Sequence, residues 1–315
     1  MKPDLRLVPL LLAGALASAA CDGGVPARTG GDPSATVDGP HSAAAARGVV
    51  PIAFEAKKAG SRAFSFPLVE GKVNGQPTRF ILDTGAVVHA IDTPVAAAAQ
   101  LATPAKASSI SIDGWGALPE HAVAVRDLPP AIRAHGIGGI IAPQLLVESP
   151  DQAVVVDLLN LQLRMRPRST AASAMADLGP SLSGAGRKLC PADDDGIAGL
   201  GLTVAGILDG EPVSLAIDTG ASRSILVEGS RAAARATTHP VIGRTVSTGA
   251  SVDVTTSIYG GVPIRAGAWT STVDVGVSVP HRAPHCAVDG RLGMDVLQQC
   301  AVAIYGDEML VSCRR

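Results

Sequence analysis

Two short stretches set a small acid inside an apolar run: "FILDTGAVVHAID" (80–92) and "LAIDTGASRSILV" (215–227). A carboxylate pressed against a core is costly unless something satisfies it or uses it. A single Asp-Thr-Gly reads most simply as a turn, with the Asp capping the loop and the Gly taking a left-handed conformation. Two copies in equivalent settings point to chemistry. If the two segments meet about a pseudo-twofold axis, Asp83 faces Asp218, and two carboxylates that close cannot both ionise cheaply. The pair then holds one proton and offers an acid beside a base. The ionised oxygen can take a proton from a trapped water, while the protonated one hydrogen-bonds a carbonyl under attack.

Other reactive clusters are poorer. His281, His285 and Cys286 in "HRAPHC" lack an evident fourth ligand, so no metal is expected. "ADDDG" (192–196) lacks the alternating acids and distal Glu of a calcium loop. No Gly-x-Ser-x-Gly, His-Glu-x-x-His or phosphate loop occurs, and no cofactor is expected.

The elements that must position the two acids repeat as well. "VNGQPTRFILDTGA" (73–86) aligns without a gap on "LDGEPVSLAIDTGA" (208–221), at an offset of 135. Each reads as strand, turn and strand, with Asn74-Gly75 or Asp209-Gly210 as a type I′ hairpin turn. A second echo pairs "GGIIAPQLL" (138–146) with "DGRLGMDVL" (289–297), and each half closes with a further hairpin, "VVVDLLNLQLRM" and "CAVAIYGDEMLVSC". The expected fold is all-β: two homologous lobes, 49–168 and 196–315, joined by a Ser/Ala/Gly-rich linker over 169–195.

With "ILDTGA" and "AIDTGAS", each followed by a segment of the type hydrophobic-hydrophobic-Gly, the sequence resembles aspartic proteases of the retropepsin/pepsin clan, in a bacterial two-lobed retropepsin-like form. The resemblance implies two β-barrel lobes about a pseudo-twofold axis with the active site between them. It implies catalysis by Asp83 and Asp218, with Thr84 and Thr219 tying the two loops together and Gly85 and Gly220 allowing tight turns beside the acids. The implied function is peptide-bond hydrolysis on a peptide or protein bound in an extended conformation. The alternative is a non-catalytic peptide-binding or structural lipoprotein that keeps the fold. Departures from the pattern are Val87, where a small polar residue is usual, and Ala142 and Arg291 in the second motif. For a flap the lobe 1 choice is "SISIDGWGA" (109–117) with Trp115 near its tip; the other reading packs Trp115 on the lobe surface.

The remainder bears on location and partners. Lys2 and Arg6 precede an apolar stretch that ends in small residues and then Cys21, which reads as a signal peptide over 1–20. Lipidation of Cys21 is expected, with 21–48 as a Gly/Pro-rich tether, although Ser18 stands where Leu is usual. Ordinary cleavage near Ala17-Ser18-Ala19 is the other reading. The expected location is therefore outside the cytoplasm, anchored to a membrane and facing the periplasm or cell exterior. Five cysteines become four once Cys21 is lipidated. A two-residue turn at Gly306-Asp307 would set Cys300 opposite Cys313, leaving Cys190 and Cys286 to pair by elimination. A net charge of −2 with no basic block excludes nucleic acid as a partner, and one chain carrying both acids is expected to work as a monomer.

Overall fold

Asn74 and Gly75 take φ of 45° and 80°, and Asp209 and Gly210 take 46° and 86°. Both central residues of each turn are thus left-handed, the condition for a tight two-residue hairpin. A Cβ on Gly75 or Gly210 would meet nothing within 4 Å, so the backbone angle, not space, calls for glycine. These turns are part of a computed structural model that describes residues 48–54, 66–102, 105–177, 179, 186–190, 199–248, 253–279, 288–305 and 308–314. Cys21 and the expected signal peptide, the 192–196 acids, the "HRAPHC" segment with Cys286, and the Gly306-Asp307 tip lie outside the described residues. The expected Cys190–Cys286 pairing therefore falls outside them too.

The first turn joins Pro67–Val73 to Gln76–Leu82, and the second joins Gly199–Leu208 to Glu211–Ile217. The strand that ends at each acid is then flanked in the same way in both lobes. Gln76–Leu82 pairs in parallel with Ile137–Ile141, which pairs antiparallel with His89–Asp92, which pairs in parallel with Val123–Arg126. In lobe 2 the same order runs Glu211–Ile217, Gly290–Leu292, Ile225–Val227 and Trp269–Ser278. The registers match: Leu82 lies beside Ile141 and Ile217 beside Leu292. Phe80, Ile81 and Leu82 are all buried, as a strand covered on both faces requires.

The lobes differ in closure. In lobe 2 the long strand Asp253–Ala266 pairs both with Trp269–Ser278 and, through Leu208–Ile264, with the first hairpin, so six strands close into a barrel. In lobe 1 Ile110–Ile112 pairs with Pro67–Val73, but the sheet ends at Gly116–Ala117 on one side and Val123–Arg126 on the other. That lobe is an open half-barrel.

A third sheet joins the lobes. The hairpin Gln152–Asp157/Gln162–Pro167 from lobe 1 and the hairpin Cys300–Ile304/Met309–Cys313 from lobe 2 pair through Val154–Ile304 to Asp157–Ala301. One face, with Val154, Val156, Val302 and Ile304, joins the main core. The other, with Ala153, Val155, Ala301, Ala303 and Tyr305, is covered by Ala171 and Met175. Those two residues lie on the helix Arg168–Ala176, inside the segment expected to be a linker. Alanine is the best helix former, and an i, i+4 pair presents one apolar stripe, so a stretch that reads as low in complexity folds onto the sheet. The same segment also supplies an edge strand, Gly186–Cys190, paired with 199–203. Cys300 stands opposite Cys313, bridged by a disulfide with Cα atoms 4.0 Å apart.

The flap expectation is corrected. Trp115 is 4% exposed and belongs to the main core, so it cannot tip a flap. Its counterpart is Trp269, 1% exposed. Val73 pairs with Ile110 and Leu208 with Ile264, and each tryptophan follows its isoleucine at the same spacing. The long hairpin arms of this molecule, Val241–Thr248 and Asp253–Ala266, lie in lobe 2.

Candidate active site

Each acid sits where its strand leaves the sheet. The N–H of Asp83 donates to the Ile141 carbonyl at 2.9 Å, and that of Asp218 to the Leu292 carbonyl at 3.0 Å. The following threonines interlock. Thr84 Oγ1 donates to the Ile217 carbonyl at 2.6 Å and accepts from the Thr219 N–H at 3.0 Å. Reciprocally, Thr219 Oγ1 donates to the Leu82 carbonyl at 2.6 Å and accepts from the Thr84 N–H at 3.0 Å. Both threonines are fully buried. Four hydrogen bonds thus satisfy four backbone groups that would otherwise be orphaned at the ends of two strands.

The glycines serve the opposite lobe. A Cβ built on Gly85 would lie 2.5 Å from Cγ of Asp218, and one on Gly220 would overlap the carboxylate of Asp83. Each carboxylate therefore occupies the space that the other loop's glycine leaves open, which brings the two together. Gly85 N and Ala86 N donate to Oδ1 of Asp83 at 2.8 and 3.1 Å. Desolvation, and next the charge of Asp218, push the pKa of Asp83 up to about 7 against the pull of those two amides. Asp83 is thus able to carry a proton near neutrality, the state an acid–base pair requires.

Asp218 has a different neighbour. Arg291 Nη1 donates to its Oδ2 at 3.0 Å, from a side chain 43% exposed. Arg291 lies on Gly290–Leu292, beside Ala216 in the adjacent strand, one residue before the carbonyl that anchors Asp218. Sequence reasoning marked Arg291 only as a departure from an apolar pattern. The contact follows from the parallel pairing of two strands far apart in the chain.

Residues 69–133 match the model of the aspartyl protease family. The matched stretch runs from the first hairpin through Asp83 to the end of the helix Pro130–Arg133. Asp218 and lobe 2 lie beyond it, and their likeness to lobe 1 rests on the internal repeat. No curated protein matches the chain.

A second layer behind the two loops also repeats, with altered chemistry. In lobe 2 Gly293 N donates to Ser224 Oγ at 3.0 Å, and Ser224 Oγ donates to Asp295 at 2.8 Å. In lobe 1 the corresponding Ala142 N donates to Nδ1 of His89 at 3.2 Å, and the amide of Gln144 donates to the Ala86 carbonyl. His89 is fully buried, and desolvation, then the charge of His121, lower its pKa to about 3, so it stays neutral as a hydrogen-bond acceptor. These residues escaped sequence reasoning, although aligning the repeats would have set His89 against Ser224. The departures at Ala142 and Val87 also find places. Ala142 is fully buried, whereas a Cβ on Gly293 would overlap the Arg223 backbone. Val87 packs with Val88, Ala90, Ala124 and Ile140. Among the described residues no His, Cys, Asp or Glu side chains cluster as metal ligands, and no helix is long and apolar enough to cross a membrane.

Proposed function

We propose that the chain is an aspartic endopeptidase in which Asp83, Asp218 and one water hydrolyse peptide bonds. The observation that carries this reading is the reciprocal threonine lock, which with Gly85 and Gly220 holds two carboxylates together at the junction of the lobes. The ionised carboxylate takes a proton from water as the water oxygen bonds to the peptide carbon. The protonated carboxyl donates to the carbonyl oxygen. The tetrahedral intermediate then breaks its C–N bond as the proton taken from water passes to the leaving amine, and one of its two hydroxyls returns a proton to the other carboxylate, which restores the singly protonated pair. No metal or cofactor enters the step. An extended substrate suits a sheet-rich site, with main-chain hydrogen bonds giving grip and side-chain pockets giving choice. The test is hydrolysis of a mixed peptide library across pH by the purified chain. Asp83→Asn and Asp218→Asn should each abolish cleavage, and the double variant should be no worse, because parts of one unit are non-additive. Cleavage surviving both single substitutions would end the dyad reading. A folded wild type that cleaves at no pH would favour the non-catalytic, peptide-binding alternative.

Export and lipidation at Cys21 belong to the same proposal, supported by the apolar N-terminal run and the odd cysteine count. Cys21→Ala should move the protein from the membrane to the soluble fraction; unchanged membrane association would count against an anchor there.

A further inference from the structure

The pseudo-twofold relation would by itself make the two carboxylates equivalent and leave the shared proton undecided between them. One charge breaks the equivalence. Arg291 reaches Oδ2 of Asp218 at 3.0 Å, whereas the position that corresponds to it in lobe 1 is Ile140, packed in an apolar patch with Val87, Val88, Ala90 and Ala124. We infer that Arg291 assigns the proton of the pair to Asp83 by holding Asp218 ionised, and that it is a positioning residue of the dyad. Asp218 is then the base that draws a proton from water, and Asp83 the acid that donates to the carbonyl.

The surroundings agree. Among the described residues, charged and titratable groups on several elements stand around the pair. Asp83 comes from the lobe 1 loop and Arg291 from the strand Gly290–Leu292. Asp295, on the helix Met294–Leu297, is engaged by Ser224 and by the nearby charge of Arg223. His89, behind the lobe 1 loop, is neutral. Arg291 is the cation hydrogen-bonded to Asp218. An opposite charge at hydrogen-bond distance stabilises a carboxylate anion, by about one to three pKa units in enclosed sites and by less where water reaches the pair. On Asp83, Oδ1 is taken by the amides of Gly85 and Ala86, so the proton belongs on Oδ2.

This inference rests on the proposed function only for its kinetic arm, and the test separates the two. The carboxyl carbons of 13C-aspartate in the full chain are titrated by NMR, with Asp83→Asn and Asp218→Asn used to assign them. In the wild type Asp218 should lose its proton in the lower step and Asp83 in the higher. Arg291→Ile, which copies lobe 1, should raise the lower step by about one pH unit. It should also move the acid limb of kcat/KM up by the same amount, a roughly tenfold loss on that limb. Arg291→Lys, which keeps the charge without the planar fork, should restore most of the shift. A wild type in which Asp83 ionises first overturns the inference, even if Arg291→Ile fails to fold. So does a titration that Arg291→Ile leaves unmoved. A KM effect confined to acidic peptides, with unmoved limbs, would make Arg291 a substrate contact. A gain of activity at every pH in Arg291→Ile would make it a latch. Either result would replace the positioning role. Absence of cleavage in every variant would sink the peptidase reading and leave the NMR titration to decide the assignment.

Discussion

Asp83 concentrates the cost of the site. Its pKa rises from 3.8 to about 7, so the folded protein keeps a proton that the unfolded chain gives up at lower pH. Where the native state binds more protons than the unfolded state, stability falls as pH rises. The contribution is therefore fully favourable below about pH 4, declines through the window from about 4 to 7, and is flat above it. Asp83→Asn is neutral at every pH and lacks this penalty. In urea unfolding, the stability of Asp83→Asn relative to wild type should increase across that window, by on the order of a few kcal/mol. A difference that stays constant between pH 4 and 8 would show that Asp83 does not hold its proton. The acids, threonines and glycines were legible because they form one contiguous motif that occurs twice. Arg291 and His89 were not, because one looks like an interruption of an apolar segment and the other like an ordinary core residue.

At the scale of elements, the two tryptophans show why a turn cannot be assigned a role from its residues alone. Asp113-Gly114 does make a turn, with Gly114 at φ of 81°, but the strand before it pairs with Pro67–Val73 and carries Trp115 inward. Trp115→Ala should cost about 3–5 kcal/mol of stability, as loss of a buried indole does. At temperatures where the variant stays folded, kcat/KM should be little changed. A flap tip would behave in the opposite way, losing substrate affinity at unchanged stability, and that result in denaturation and kinetic assays would reverse the correction. The hairpins were readable because Asn-Gly and Asp-Gly dictate local backbone angles. The helix Arg168–Ala176 was not, since its alanines and serines gain from helix only once Ala171 and Met175 have a sheet to cover.

Across the whole molecule, the sheet built from both C-terminal hairpins joins the two lobes, and the disulfide closes its outer hairpin. Replacing Cys300 and Cys313 together with Ala should lower stability by about 2–4 kcal/mol. Because the sheet is shared, lobe 1 should feel the loss as much as lobe 2. The chain has two tryptophans, one in each lobe, so Trp115→Phe and Trp269→Phe each leave a fluorophore that reports one lobe. The two reporters should give coincident unfolding curves, shifted together by loss of the disulfide. Separate transitions, with only the lobe 2 reporter displaced, would show that the lobes are coupled more weakly than the sheet suggests.

The division between sequence and structure follows the range over which each rule acts. Turn angles, strand alternation, the doubled Asp-Thr-Gly and the Cys300–Cys313 register are set by neighbours close along the chain, so two related β lobes with an acid in each were legible from residue order alone. The closure of one barrel and the opening of the other, the inward path of Trp115 and the joining of two hairpins into one sheet were decided only in three dimensions. The contact from Arg291 to Asp218 spans 73 residues and exists only because two strands pair in parallel. Such a pairing is chosen by packing of the whole lobe, which no local pattern encodes.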